Sequence, residues 1–305
     1  MPFFLSPLRY PGSKRRLASY IAKALAVNNM RPSLYVEPFA GGASVALALL
    51  QKNLVGQVIL ADLDPWIASF WQTVFWDTDW LIAKINETPV TLDEWRRLKG
   101  LRPQTTRQQA WACLFLNRTS FSGILRPEVG PLGGKRQNSP YKIDCRFPRQ
   151  TLVERIRRIA AFRERIYAVW NLSWDEVLAR VAEKQRVGEL PPDVFYYLDP
   201  PFFEKANALY RYYFRRSDHE RLRDALLELR QKWLLSYDSA EQVEALYGQA
   251  IASNTNGAKK SSVELLYSVS NLKERKRGKE VILSNLEILP EFDDRPTGGN
   301  YGKRQ

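Results

Sequence analysis

The sequence predicts an α/β protein whose mostly parallel sheet is built from two parts of the chain, with a basic, mostly helical module inserted between them. Three observations carry this. From Leu34 to Asp64 an apolar run, a flexible turn, an Ala/Leu-rich stretch and a second apolar run follow one another, the order of a βαβ unit. The same alternation returns from Leu152 onward. Between them, residues 76–150 hold few strand-like runs and set thirteen basic side chains against seven acidic ones.

Taken in order, Lys14 to Ala26 has helical periodicity and follows a Pro11-Gly12 turn. Leu34-Tyr35-Val36-Glu37 stops at Pro38 and reads as a buried parallel strand. Phe39-Ala40-Gly41-Gly42 is a turn, and Ala43 to Gln51 is composed of strong helix formers. Val58-Ile59-Leu60 is a second strand, ending at Ala61-Asp62-Leu63-Asp64. In the module, Leu92 to Leu98 and Gln108 to Leu116 read as helices. Phe121 to Tyr141, rich in Gly, Pro, Ser and Arg, reads as loop or hairpin. Leu152 to Phe162 is an amphipathic helix, Ile166 to Trp170 a strand and Asp175 to Ala182 a helix. Val194 to Leu198 is a strongly apolar strand that runs into Asp199. Asp218 to Lys232 is a helix with Asp218 as its cap, and Trp233 to Tyr237 a further strand. Glu264 to Ser270 and Glu280 to Asn285 flank a loop, Asn271 to Lys279, with five basic residues, and form a final hairpin. The last fifteen residues are polar and Gly-rich, as in a disordered tail. The expected divisions are 1–75 and 151–290 for the α/β part, 76–150 for the insertion and 291–305 for the tail.

Composition narrows the chemistry. Lys and Arg number 46 against 33 Asp and Glu, a net charge of +13 expected of a protein that follows a polyanion. Nine Trp supply stacking surfaces or core. One histidine and two cysteines are too few for a zinc site or a disulfide framework, and no metal is expected. The low cysteine count fits a reducing, cytoplasmic setting. Ala43 to Leu50 is too short an apolar stretch to span a bilayer, and Met1 to Arg9 lacks the pattern of a secretory signal. No membrane association is expected. A Ser-His-Asp triad has only His219 to draw on, and that residue sits at a helix start and reads as structural. Cys113 and Cys145 read as ordinary thiols.

Chemistry therefore rests on carboxylates, backbone groups and aromatic rings. Asp199-Pro200-Pro201-Phe202 follows five apolar residues, so its carboxylate sits at the C-terminal edge of a strand, where open α/β sheets place their ligands. Two prolines stiffen the backbone and remove two N–H donors, leaving an acceptor surface. An exocyclic adenine amino group is a poor nucleophile because its lone pair is delocalised. Acceptors for both N–H bonds, the Asp199 side chain and the Pro200 carbonyl, suit such a group, and Phe202 suits stacking on the base. A strand end with a structural Pro-Pro turn is the plainer alternative. The turn from Glu37 to Ser44 leads from strand into helix and presents backbone N–H groups. It is not the GxGxxG of dinucleotide sites, so it suits a ligand without phosphates, such as S-adenosylmethionine. Asp62, about twenty residues on, is placed for ribose hydroxyls, or is a surface turn acid.

These residues together resemble the Dam-type, alpha-group DNA adenine-N6 methyltransferases. Leu8-Arg9-Tyr10-Pro11-Gly12-Ser13-Lys14 looks like that family's N-terminal cofactor motif. Val36 to Gly42 looks like its cofactor loop, and Ala61-Asp62 like its ribose acid. Phe115-Leu116-Asn117-Arg118, continuing through Phe121, Gly123 and Arg126, is similar to the start of its DNA-reading module. Asp199 to Phe202 matches its catalytic motif, with Phe where Tyr is usual, and Glu280 to Asn285 resembles its closing strand. The resemblance spans roughly residues 8 to 286.

The resemblance implies a Rossmann-like, S-adenosylmethionine-dependent methyltransferase sheet with an inserted DNA-recognition module. Tyr10, Lys14, Phe39, Gly41, Asp62, Trp174 and Asp199 are the expected cofactor contacts, with Lys14 near the cofactor carboxylate. Asp199, Pro200 and Phe202 are the expected catalytic residues. Phe121 aligns with a wedge into the DNA stack, Arg126 with a contact to the recognition site, and Arg118 with a phosphate contact or a structural ion pair. Lys135 and Arg136 join these as DNA-binding residues. The expected activity is methylation of N6 of an adenine flipped out of double-stranded DNA. RNA adenine-N6 or DNA cytosine-N4 methylation, and an inactive DNA-binding relative, stand as alternatives. The resemblance also points toward restriction–modification systems, although no residue specifies a restriction endonuclease counterpart.

Overall fold

A computed structural model describes residues 6–9, 14, 17–203, 209–238, 240–266 and 277–291. Tyr10, the Pro11-Gly12 turn, residues 267–276 of the final hairpin and the tail from 292 lie outside them. The elements run α1 (Leu17–Val27), β1 (Leu34–Glu37), α2 (Ser44–Gln51), β2 (Gln57–Ala61), α3 (Pro65–Trp76), α4 (Thr78–Glu87), α5 (Leu92–Gly100) and α6 (Thr106–Thr119). They continue with α7 (Arg149–Ala160), β3 (Ile166–Trp170), α8 (Trp174–Arg186), β4 (Val194–Leu198), α9 (Arg216–Glu228), β5 (Lys232–Tyr237), α10 (Ala240–Ala252), β6 (Lys259–Leu266) and β7 (Arg277–Ser284).

The seven strands form one sheet in the order β3-β2-β1-β4-β5-β7-β6. β1 to β5 are mutually parallel, and β7 runs antiparallel between β5 and β6. Strand order reverses between β1 and β4, and a crevice opens there at the C-terminal strand ends.

Alternation along the strands explains the layers. Phe195 and Tyr197 of β4 face one apolar cluster, with Tyr35, Leu60 and Leu234 from other strands. Val194, Tyr196 and Leu198 face the other, with Leu34, Val36 and Ile59. Both faces are covered, so β4 carries no polar position at all, as in central parallel strands. Helices α1 to α7 pack on the first face, and α8, α9 and α10 on the second.

Three helices, α3, α4 and α10, are absent from the reading by periodicity. α3 buries eight of its twelve residues, among them Phe70, Trp71, Val74 and Phe75, so it has no polar stripe to reveal it. α10 carries Gly248 in its middle, a residue that weakens any helical reading. In the stretch 76–150, α4 joins α5 and α6, and their apolar side chains enter the same cluster as α3. Phe121 to Tyr141 forms turns pinned by a single bridge, Ser120 to Pro131.

Asp218 is not the cap of α9. It is the third residue of the helix, and its Oδ2 accepts the backbone N–H of Arg215 at 2.8 Å. An acid in the first turn suits the helix dipole equally well, which is why the two positions look alike in sequence.

Candidate active site

The crevice at the β1/β4 switch is a cleft of about 870 Å³, including its open mouth. Lys14, Phe39, Gly41, Asp62, Trp174 and Asp199 all line it. Six residues singled out from motifs spread over 186 positions thus meet in one space. Glu37, Ser173, Tyr197, Tyr210 and the run Tyr212 to Phe214 complete much of the wall.

Asp199 follows the last residue of β4, and its side chain keeps 24% of its surface exposed, open to the cleft. Its Oδ1 accepts the Ser236 hydroxyl at 3.0 Å and lies 3.3 Å from Lys14 Nζ. Ser236, on β5, also contacts the Tyr197 hydroxyl at 3.0 Å. Among the described residues Oδ2 makes no such bond. Burial pushes the Asp199 carboxyl up to about 6, against the downward pull of Lys14.

Lys14 is buried. Its ammonium donates to both oxygens of Glu280 on β7, at 2.9 and 2.8 Å, and the two carboxylates together hold its pKa up against burial. The Lys14 ammonium also stands 5.4 Å above the Phe202 ring. Phe202 meets Tyr210 edge-on at 5.8 Å and does not itself line the cleft; Pro201 does. Pro200 is buried.

At the other end of the cleft, Asp62 is the residue after β2. Its Oδ2 accepts the Gly41 N–H and its Oδ1 the Asp64 N–H, both at 2.9 Å. Gly41 has φ 43°, in the left-handed region where glycine is at ease, and its carbonyl accepts the Trp71 indole N–H at 2.9 Å. Burial, with the neighbouring Asp64 carboxylate, raises Asp62 to about 7. Glu37, held by Tyr35 Oη at 3.0 Å and the Ala46 N–H at 3.1 Å, is raised to about 8, chiefly by burial. Asp64 caps α3 through the Trp66 N–H and pairs with Arg211 at 2.7 Å. Arg211 stacks on Trp66 at 4.0 Å, so this pair ties the aromatic wall after Phe202 to the start of α3.

The residues expected on DNA lie outside the cleft. Phe121 is 64% exposed on a tight turn in which Ser122 and Gly123 have φ of 54° and 77°. Arg126 pairs with Glu128 at 3.0 Å, and Lys99 donates to the carbonyls of Arg126 and Pro127, bracing that turn. Lys135 and Arg136 are exposed. Arg118 is buried, donates Nη1–H to the Pro7 carbonyl at 3.4 Å, and forms no ion pair among the described residues. His219 is buried as a neutral ring, lowered to about 4 by burial, stacked on Phe203 at 3.9 Å and bonded to Tyr237 Oη.

Sequence reasoning did not single out Ser236, Tyr197 or the Tyr210–Phe214 wall. The aromatic run Tyr-Arg-Tyr-Tyr-Phe, so soon after Phe202, was the available signal for the wall. Ser236 offers none, because its relation to Asp199 comes from the β4–β5 pairing. Among the described residues no group of three or more His, Cys, Asp or Glu is placed to hold a metal ion, and no helix is long and apolar enough to cross a membrane.

A doubly covered parallel sheet with an antiparallel closing strand, a strand–turn–helix loop and an acid at each end of a switch-point cleft defines a Rossmann-like methyltransferase. Residues 10–262 match the family described as D12 class N6 adenine-specific DNA methyltransferase. The chain belongs to that family. It is also similar to the type II methyltransferase M.MjaIII of Methanocaldococcus jannaschii, with 28% identity over 137 residues, covering 39% of this chain and 47% of that relative. The chain thus matches about half the length of this curated relative.

Proposed function

We propose that the protein methylates N6 of adenine in double-stranded DNA, with S-adenosylmethionine as donor. The observation that carries this is Asp199: a carboxylate with Oδ1 fixed by Ser236 and Lys14, and Oδ2 left to the cleft that also holds Phe39, Asp62 and Trp174.

The residues fit the cofactor by chemistry. The Asp62 carboxylate suits two ribose hydroxyls, the Phe39 and Trp174 rings suit a flat base, and the turn from Glu37 to Ser44 carries no lysine for a phosphate. When bound, S-adenosylmethionine supplies an electrophilic methyl group. Asp199 Oδ2 accepts one N–H of the adenine amino group, and the Pro200 carbonyl is the acceptor for the other. Together they draw the lone pair out of the ring and orient it. Positioning of this kind, with acceptors where positive charge develops, is the main source of rate. The amino nitrogen must afterwards lose a proton. Asp199, with a pKa near 6, takes it at Oδ2 and passes it to solvent. Phe121 fills the gap left by the flipped base, a role that its exposed ring supports.

The reading is tested by incubating the protein with S-adenosylmethionine and plasmid DNA, then analysing the nucleosides. N6-methyladenine is expected. Methylated cytosine alone, or product only in RNA, overturns it.

Cofactor affinity should also depend on pH. Asp62 is protonated below about 7, and a protonated acid accepts ribose hydroxyls poorly. Binding therefore weakens as pH falls through 7 and releases a proton near neutrality. Calorimetry in buffers of different ionisation enthalpy reads this directly. Asp62→Ala should lose the pH dependence and roughly tenfold or more of affinity, the scale of a hydrogen bond to a charged group. Heats identical in every buffer would exclude the assignment.

A further inference from the structure

Three oxygen-bearing side chains lie in series on one face of the sheet. Tyr197 of β4 and Leu234 of β5 are register partners and enter the same apolar cluster. Two residues further along each strand, the pleat returns the chain to that face. Asp199 and Ser236 therefore come level, one step beyond the last register pair, Leu198 with Leu235. Ser236 is fully buried and Tyr197 nearly so, and each hydroxyl finds its partner in this series.

The chemistry of the three groups fixes the direction of their two bonds. An ionised carboxylate can only accept, so the Ser236 hydrogen points at Asp199 Oδ1, at 3.0 Å. A hydroxyl has one hydrogen. Ser236 Oγ is therefore the acceptor toward Tyr197, and the phenol is the donor, again at 3.0 Å. Burial, with Asp199 close by, holds the Tyr197 phenol well above its ordinary range, so it keeps its proton wherever Asp199 is ionised.

We infer that Tyr197 is a positioning residue for methyl transfer: through Ser236 it holds Asp199 Oδ1 in place and so keeps Oδ2 for the target amino group. The inference deepens the functional reading above and rests on it. Lys14, the other donor to Oδ1, is shared with both oxygens of Glu280. The Ser236 hydroxyl turns among three staggered wells when nothing selects one. A phenol donating to its oxygen selects the well in which all three groups are bonded, and consecutive hydrogen bonds strengthen one another. A donor to a carboxylate also favours its charged form. Tyr197 thus helps to keep Asp199 ionised against its burial.

The test titrates the Asp199 carboxyl by carbon-13 NMR in protein carrying labelled aspartate, with Asp199→Asn to assign the signal. Ser236→Ala should raise its pKa by about one unit, the scale of a lost hydrogen bond to a charged group. Tyr197→Phe should raise it by about 0.3 unit, the scale of strengthening between consecutive bonds. The double variant should rise no further than Ser236→Ala, because the phenol acts only through the serine. Tyr196→Phe deletes the same oxygen on the opposite face of β4 and should shift nothing. The other titratable groups near Asp199 are Lys14, Glu280 on β7, Glu37 and Tyr35 on β1, and Tyr210, and all stay unchanged in these variants. In single turnover, the acid limb of the methylation rate should move up by the same intervals, with cofactor affinity near native. An unchanged pKa in Tyr197→Phe, or shifts that add in full in the double variant, overturn the inference. The titration needs no activity, so the two readings fail separately. The expected shifts without N6-methyladenine from the native protein keep the hold of Tyr197 on Asp199 and remove the function. Methylation without those shifts keeps the function and removes the role of Tyr197.

Discussion

Asp199→Ala should lower the single-turnover methylation rate by about a hundred- to thousandfold, the scale of losing one preorganised electrostatic group, and leave DNA affinity within about twofold of native. The side chain does two jobs that no neighbour takes over. Its Oδ2 is the acceptor that orients the amino group, and the same atom receives the departing proton. Ser236 and Lys14 are both donors toward Oδ1, so neither replaces an acceptor. Asp199→Asn is the sharper variant. An amide of the same shape must either turn its oxygen to Ser236 and Lys14, presenting an N–H to another N–H, or face Lys14 with its own donor. Both choices lose the orientation, so Asn should retain little more activity than Ala. In the native enzyme the rate should fall as pH drops below about 6, where the carboxylate protonates. Rapid-quench measurement with labelled cofactor, beside fluorescence anisotropy for DNA, reads both quantities. A rate within tenfold of native in Asp199→Ala would falsify the mechanism.

Lys14→Met should destabilise the fold by about 3–5 kcal/mol, the usual result of removing one partner of a buried ion pair. Glu280 is 1% exposed, and without the ammonium that bonds both its oxygens its charge is left buried beside Asp199. Replacing both partners removes the stranded charge. The double variant Lys14→Met/Glu280→Leu should therefore recover much of the stability and little of the activity, since Oδ1 of Asp199 keeps only Ser236. Urea unfolding followed by circular dichroism gives the stability, and coupling energies follow from the cycle. A double variant no more stable than Lys14→Met would show that the pair is not the source of the effect.

Much of this site was legible in the residues, and the reason is the sheet. Strands β1, β3 and β4 have the bounds expected from their apolar runs, which stop sharply at Pro38, Asn171 and Asp199; β1 and β4 are central in the sheet and buried on both faces, and β3 is its edge. A carboxylate after such a run sits at the C-terminal edge by necessity, which placed Asp62 and Asp199 in the cleft before any coordinates. What could not be read depended on neighbours distant along the chain. Lys14 is separated from Glu280 by 266 positions, and nothing local to either residue shows that the lysine bonds to that acid rather than facing only a ligand. Arg118 looked equally suited to a phosphate or an ion pair. Its burial beside Arg9, with no ion pair among the described residues, comes from how the segment before α1 lies on α6. α3 was hidden by its own completeness of burial, and the position of Asp218 within α9 by the similar residue preferences of the cap and the first turn.

The Lys14–Glu280 contact has a consequence for biosynthesis. Lys14 precedes all five parallel strands along the chain, and Glu280 is made only after them and the hairpin partner β6. Until then Lys14 lacks the acid that bonds it, so chains ending before β7 should hold Asp199 less firmly even when most of the sheet has formed.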